Sequence, residues 1–151
     1  MSIEINMDER LSYYEIGRTE RQVLQDYRKH ISSYIPEVIK DFYEYVTSHP
    51  SSRAKFEKAN IEVVKKLQHA HWQDLFSGDF TAELCARSLE IGKYHEKIGI
   101  TPYLYIGGYS FVLKRIIAHV AQITASNKKA QKDLIFAVNS AIMMDMELAL
   151  T

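Results

Sequence analysis

Apolar residues along this chain recur at intervals of three and four rather than two, a periodicity that predicts helices throughout and no strand. A short helix is expected from Met7 to about Tyr14. A second opens with Thr19 as N-cap and Gln22 three residues on, burying Val23, Leu24, Tyr27 and Ile31. Pro36 suits the first turn of a third, on which Val38, Ile39, Phe42, Tyr43 and Val46 share one broad face before the break at His49-Pro50. Tyr43 is thereby directed inward. A loop or short turn is expected from Ser51 to Asn60. Beyond it, Ile61, Val64, Leu67, Gln68, His71 and Leu75 keep helical spacing until Ser77-Gly78-Asp79. Thr81 caps the next helix, and Leu84, Ser88, Ile91 and His95 fall on one face of it before Gly99. Thr101-Pro102 starts a long helix to about Ser126. The last helix carries Leu134, Val138, Ala141, Met144 or Asp145, and Leu148. Its pattern reaches Thr151 without a terminator, so the expectation is a domain spanning 1–151 excised from a longer chain.

Composition narrows the function classes. The 151 residues suit one domain, and a 46% hydrophobic content suffices for a packed core. Nineteen basic residues balance nineteen acidic ones, leaving no cationic excess to collect a nucleic-acid backbone. The single cysteine, Cys85, has no disulfide partner within the chain, and the Met-Ser-Ile-Glu start lacks the basic and apolar regions of a signal peptide. A cytoplasmic location is expected. The longest apolar run, Tyr103 to Leu113, stops at Lys114-Arg115 and is too short to span a bilayer.

The usual enzyme motifs are missing. There is no His-Glu-x-x-His, no phosphate-binding glycine loop and no Gly-x-Ser-x-Gly elbow. No glutamate stands three residues before a histidine, which removes the di-iron carboxylate bundle. His69 and His71 are two apart on a helix and point in different directions, so they cannot share an ion. Cys85 reads as a small core residue. His95 stands at the C-terminal end of an apolar stripe, where an imidazole can be an iron ligand in a dry pocket or a satisfied core histidine. Tyr43 is equally open between a ligand-facing hydroxyl and a core tyrosine.

Four strings carry a resemblance that bears on that choice. They are DFYEYV from Asp41 to Val46, LQHAHWQDLFSGDF from Leu67 to Phe80, IGKYHEKIGI from Ile91 to Ile100, and PYLYIGGYSFVLKR from Pro102 to Arg115. In this order and spacing the chain resembles the globin-coupled sensor family along nearly its whole length. The resemblance implies an all-α globin fold with an extra short N-terminal helix and no proper D helix, and it implies haem b (iron protoporphyrin IX). His95 matches the proximal iron ligand, Tyr43 the distal tyrosine, and Gln68 the position facing bound gas, which in the family is often Thr, Ser or Leu. Val64, Leu67, Ile91 and Ile98 are placed around the cofactor by helical phase, and Trp72 is assigned to packing.

The family also implies a gas ligand, O2 foremost with CO and NO as alternatives, and a C-terminal output such as a diguanylate cyclase, histidine kinase or chemotaxis transducer. It implies a homodimer through the last two long helices, for which Ile142, Met143, Met146, Val112 and Ile116 offer apolar surface. A haemless globin-fold relay and a stand-alone O2-binding globin are the rival readings.

Overall fold

Side-chain caps fix where four of the helices begin. Asn6, Asn60, Thr81 and Asn127 each accept the backbone N–H three residues on, at 3.0, 3.4, 3.1 and 3.0 Å, satisfying donors that a helix start leaves open. In the computed structural model, which describes residues 5–151, eight helices follow: α1 Met7–Tyr13, α2 Arg18–Asp26, α3 Arg28–Ser48, α4 Pro50–Phe56, α5 Ile61–Leu75, α6 Ala82–Lys97, α7 Pro102–Ile123 and α8 Lys128–Leu150. No strand occurs among the described residues. The Met1–Glu4 start, on which the signal-peptide reading rests, lies outside them.

Three boundaries differ from expectation. Helix α2 is capped two residues earlier, by Gly17, with Glu20 rather than Gln22 returning its carboxylate to the Gly17 N–H at 3.0 Å. Glycine has no side chain to return the bond, so only the N3-to-N-cap half of a capping box forms, with a charged acceptor. Pro36 lies inside α3 rather than at its start. Its ring is exposed, and the buried Ile31, Ile35, Val38 and Ile39 hold the helix through the one backbone bond that proline cannot make. The segment expected as a loop contains α4, opened by Pro50 and stabilised by the Ser52 hydroxyl bonded to the Val46 carbonyl at 2.5 Å. No helix stands between α4 and α5, as expected.

Helix α8 packs along α2, α6 and α7, while α3 packs on α4, α5 and α7, so α7 belongs to both halves. Leu24, Ile31, Ile35 and Val38 meet Ile116, Val120, Leu134 and Val138 in the core between them. At about 25 cal/mol per Å² of buried apolar surface, such residues supply most of the folding drive. Helix α1 is tied to α8 by the Arg10–Glu147 pair, whose two nitrogens reach both carboxylate oxygens at 3.1 and 2.9 Å. The α6–α8 crossing is closer than side chains allow. A Cβ on Gly92 would stand 2.0 Å from the Ala149 carbonyl oxygen, so glycine is required there for the backbones to touch.

Val112, Ile116 and Ile142, expected on a dimer surface, are at most 3% exposed and belong to this core. Met143 and Met146 are half-buried. The helical phase assigned to these positions was rotated inward because α7 and α8 bury more than one stripe each.

Candidate functional site

A cavity of about 50 Å³ lies where α3, α4, α5, α6 and α7 converge. Its walls are mostly apolar, from Phe42, Phe56, Trp72, Ile100, Leu104 and Val112, and its polar groups come from Ser52 on α4, Gln68 on α5, His95 on α6, and Tyr105 and Tyr109 on α7. Phe42 and Trp72 meet edge-on with ring centroids 6.1 Å apart, and both rings form part of the wall. Few polar groups in an apolar concavity is the composition of a ligand site.

His95 comes two turns after Ser88 on the inward face of α6. Its side chain makes no hydrogen bond, and Nδ1 is buried without a partner. The ring of Tyr105 stands against it at 4.9 Å, inclined by 65°. Burial pulls the imidazole down to about 4, against the opposing attraction of Asp145. At neutral pH the ring is therefore uncharged, with a nitrogen lone pair to offer. A buried ring nitrogen without a hydrogen-bond partner is unusual, since such atoms are nearly always satisfied.

Across the cavity, Tyr43 on α3 is 4% exposed and donates its hydroxyl to Gln68 Oε1 at 2.8 Å. Burial raises the Tyr43 hydroxyl well above its ordinary pKa, so it remains a protonated donor. Phe56 stands edge-on to its ring at 5.9 Å, and Lys65 Nζ lies 5.5 Å from the ring centre. Three residues picked out by sequence are thus brought to one place: His95 and Gln68 line the cavity, and Tyr43 holds Gln68.

The other four picks are less central. Val64 and Ile98 are half-buried and pack against the core edge, Ile91 is half-buried on α6, and Leu67 is 65% exposed. Leu67 is adjacent to Gln68, so the turn of α5 that directs Gln68 inward directs Leu67 outward. Tyr105 and Leu104 were missed. They lie early in α7, where the aromatic and glycine-rich string offers several phases and periodicity selects none of them.

His71, which cannot share an ion with His69, bonds Asp145 Oδ1 on α8 through Nε2 at 2.7 Å. Among the described residues no group of three or more His, Cys, Asp or Glu side chains could hold a metal ion. A metal seated at His95 must therefore bring most of its own ligands, as a macrocyclic complex does. The donor set fits such a group: one neutral, unpartnered imidazole, apolar walls and a polar pair facing it.

Comparison with known proteins bears on the fold and the family. The globin domain of a Geobacter sulfurreducens globin-coupled sensor superposes with a TM-score of 0.86 at 14% identity, covering 97% of this chain and 96% of that one. The fold is therefore a globin fold. The heme-based aerotactic transducer HemAT of Halobacterium salinarum is 28% identical over 75 residues, which is 48% of this chain but 15% of the transducer. The family model described as Protoglobin matches residues 4–151. The chain belongs to the protoglobin family.

Proposed function

We propose that this chain is a haem-based sensor domain for a diatomic gas, with O2 as its ligand of choice, held through His95 and read on the opposite side by Gln68 and Tyr43. One observation carries the reading. The half-buried His95 imidazole is neutral, its Nδ1 is buried without a partner, and it lines a mostly apolar cavity together with Gln68. Haem b, held through His95, would supply an iron able to take up a small gas.

The protein's own part is to hold, orient and exclude water. His95 presents a neutral nitrogen, and the Tyr105 ring restricts its rotation. Gln68 offers an amide donor that favours a ligand gaining negative charge on its outer atom, which O2 does far more than CO. Phe42, Phe56, Leu104 and Val112 keep that donor dry, where an electrostatic contact counts for more than in water.

Cofactor pockets commonly enclose about 300–1,000 Å³, so the cavity has to widen to admit a macrocycle. The first half of α5 is the wall that yields, because Val63 and Leu67 leave 51% and 65% of their surfaces in solvent. Val64, Leu67, Ile91 and Ile98 then come to line the cofactor. The domain works in the cytoplasm as the input of a longer signalling protein, in keeping with the transducer, of which the matching segment is a small part. It pairs as a homodimer through α7 and α8.

Titration of haem into purified protein, followed by the Soret band, tests the reading. The expected result is stoichiometric uptake by wild type and weak or misligated haem in His95→Ala. Absence of a Soret band after growth with ample haem would overturn it in favour of the haemless relay.

A further inference from the structure

Four helices meet at one buried carboxylate. Asp145 on α8 is 1% exposed. Its Oδ1 accepts from His71 Nε2 on α5 at 2.7 Å and from the Ser88 hydroxyl on α6 at 2.6 Å, and its Oδ2 accepts from the Tyr109 hydroxyl on α7 at 2.5 Å. Tyr109 in turn accepts from the Tyr105 hydroxyl at 3.1 Å, and the Tyr105 ring stands against His95 at 4.9 Å.

Removing a carboxylate from water is costly, and well-packed apolar residues commonly serve stability as well as a buried ion pair does. What a saturated carboxylate adds is a defined geometry, because its acceptors are filled from set directions. The three donors are spaced to use that geometry. His71 follows Gln68 by one turn of α5, Ser88 precedes His95 by two turns of α6, and Tyr109 follows Tyr105 by one turn of α7. Of the five helices around the cavity, α5, α6 and α7 are therefore each pinned to the same residue of α8, close to the side chain they bring to the cavity.

We propose that Asp145 is a positioning residue: it sets the registry of Gln68, His95 and Tyr105 around the cavity, and it obliges α8 to follow any displacement of α5 against α6. The sensing consequence rests on the haem reading above, whereas the positioning of His95 can be measured without haem. Rigid elements joined at a point with two arrangements are what coupling between sites requires. Here the junction is Asp145 and the responding element is α8.

The test uses ring-labelled histidine spectra of the haem-free protein together with the rate of haem loss from the loaded protein. Tyr109→Phe removes one hydrogen bond and leaves the ring in place; Asp145→Asn removes the charge. Thr124→Val serves as a control, deleting a buried hydroxyl that bonds the Val120 carbonyl at 2.5 Å near the far end of α7. Tyr109→Phe and Asp145→Asn are expected to shift the His95 ring resonances and to speed haem loss about tenfold, the effect of losing a hydrogen bond to a charged group. Thr124→Val is expected to do neither. Unchanged His95 resonances in folded Tyr109→Phe, or an equal shift in Thr124→Val, would overturn the proposal, and Tyr109→Phe decides alone if Asp145→Asn does not fold. A wild-type protein that takes up no haem would defeat the functional reading, while the ring shifts would still show whether Asp145 positions His95.

Discussion

The Tyr43 hydroxyl donates to Gln68 Oε1 at 2.8 Å, joining α3 to α5 beside the cavity. A phenol has one proton to give, so this bond commits it. The Gln68 carbonyl is turned toward Tyr43, which leaves the amide nitrogen as the donor free for a ligand. The two residues therefore act in series, with Tyr43 orienting and Gln68 presenting.

Either residue alone can partly replace the other. In Tyr43→Phe the Gln68 amide remains, and in Gln68→Leu the Tyr43 hydroxyl is released. The Tyr43→Phe, Gln68→Leu double variant is expected to raise the O2 dissociation rate about 10- to 150-fold, with the CO rate nearly unchanged, and each single variant less. Stopped-flow dissociation measurements check this. Wild-type O2 kinetics in the double variant would leave the pair without a role in gas discrimination.

Two glycines separate a packing requirement from mere helix propensity. A Cβ on Gly92 meets the Ala149 backbone at 2.0 to 2.9 Å, whereas one on Gly107 in α7 meets nothing within 4 Å. Gly92→Ala is expected to force α6 from α8 and cost about 1–3 kcal/mol. Gly107→Ala is expected to stabilise by about 0.5–1 kcal/mol, since alanine loses less backbone freedom in a helix. Denaturant melts of the two variants should therefore move in opposite directions.

Much of this arrangement is legible in the sequence because its signals are local. The Thr81 cap, the Pro102 start and the turns at Gly78 and Gly99, with φ of 84° and 80°, depend on residues a few positions apart. Tyr43 and His95 were placed inward by phase, and the family strings supplied their roles. The Asp145 junction was not legible, since its partners His71, Ser88 and Tyr109 lie 74, 57 and 36 residues away. Phase left Met144 and Asp145 as alternatives for the buried position, and both are buried. Gln68 and Leu67 show the same limit: adjacent residues differ by about 100° around a helix, and a broad apolar face does not settle which of them faces the cavity.

The homodimer makes a separate prediction. With Val112, Ile116 and Ile142 in the core, the apolar surface left on the last two helices comes from Tyr103, Ile106, Phe136 and Leu150. Pro102 at the start of α7 and Leu150 at the end of α8 border one surface depression. Light scattering at high micromolar concentration is expected to give a dimer for wild type and a monomer for Ile106→Lys, with the Soret band unchanged. A wild-type monomer under those conditions would count against pairing through this face.

Acid stability should report the charge on Asp145. Burial by itself pushes a carboxyl pKa up, but the hydrogen bonds and charge of His71 and the hydroxyls of Ser88 and Tyr109 outweigh it and hold Asp145 below its ordinary value. A group lowered on folding contributes stability that is complete above its unfolded pKa, near 4 for a carboxyl, and is lost as pH falls through the lower folded value. At neutral pH, Asp145→Asn is expected to destabilise by about 3 kcal/mol, because it leaves donors built for a carboxylate facing a neutral amide. Below about pH 4 the wild-type advantage should shrink, since protonated Asp145 offers its partners little more than asparagine does. Urea melts of both proteins from about pH 7 to about pH 3 follow that gap directly. A gap that stayed constant down to the acid limit would mean that Asp145 does not titrate on unfolding in this range, and the ionised junction of α5, α6, α7 and α8 would have to be abandoned.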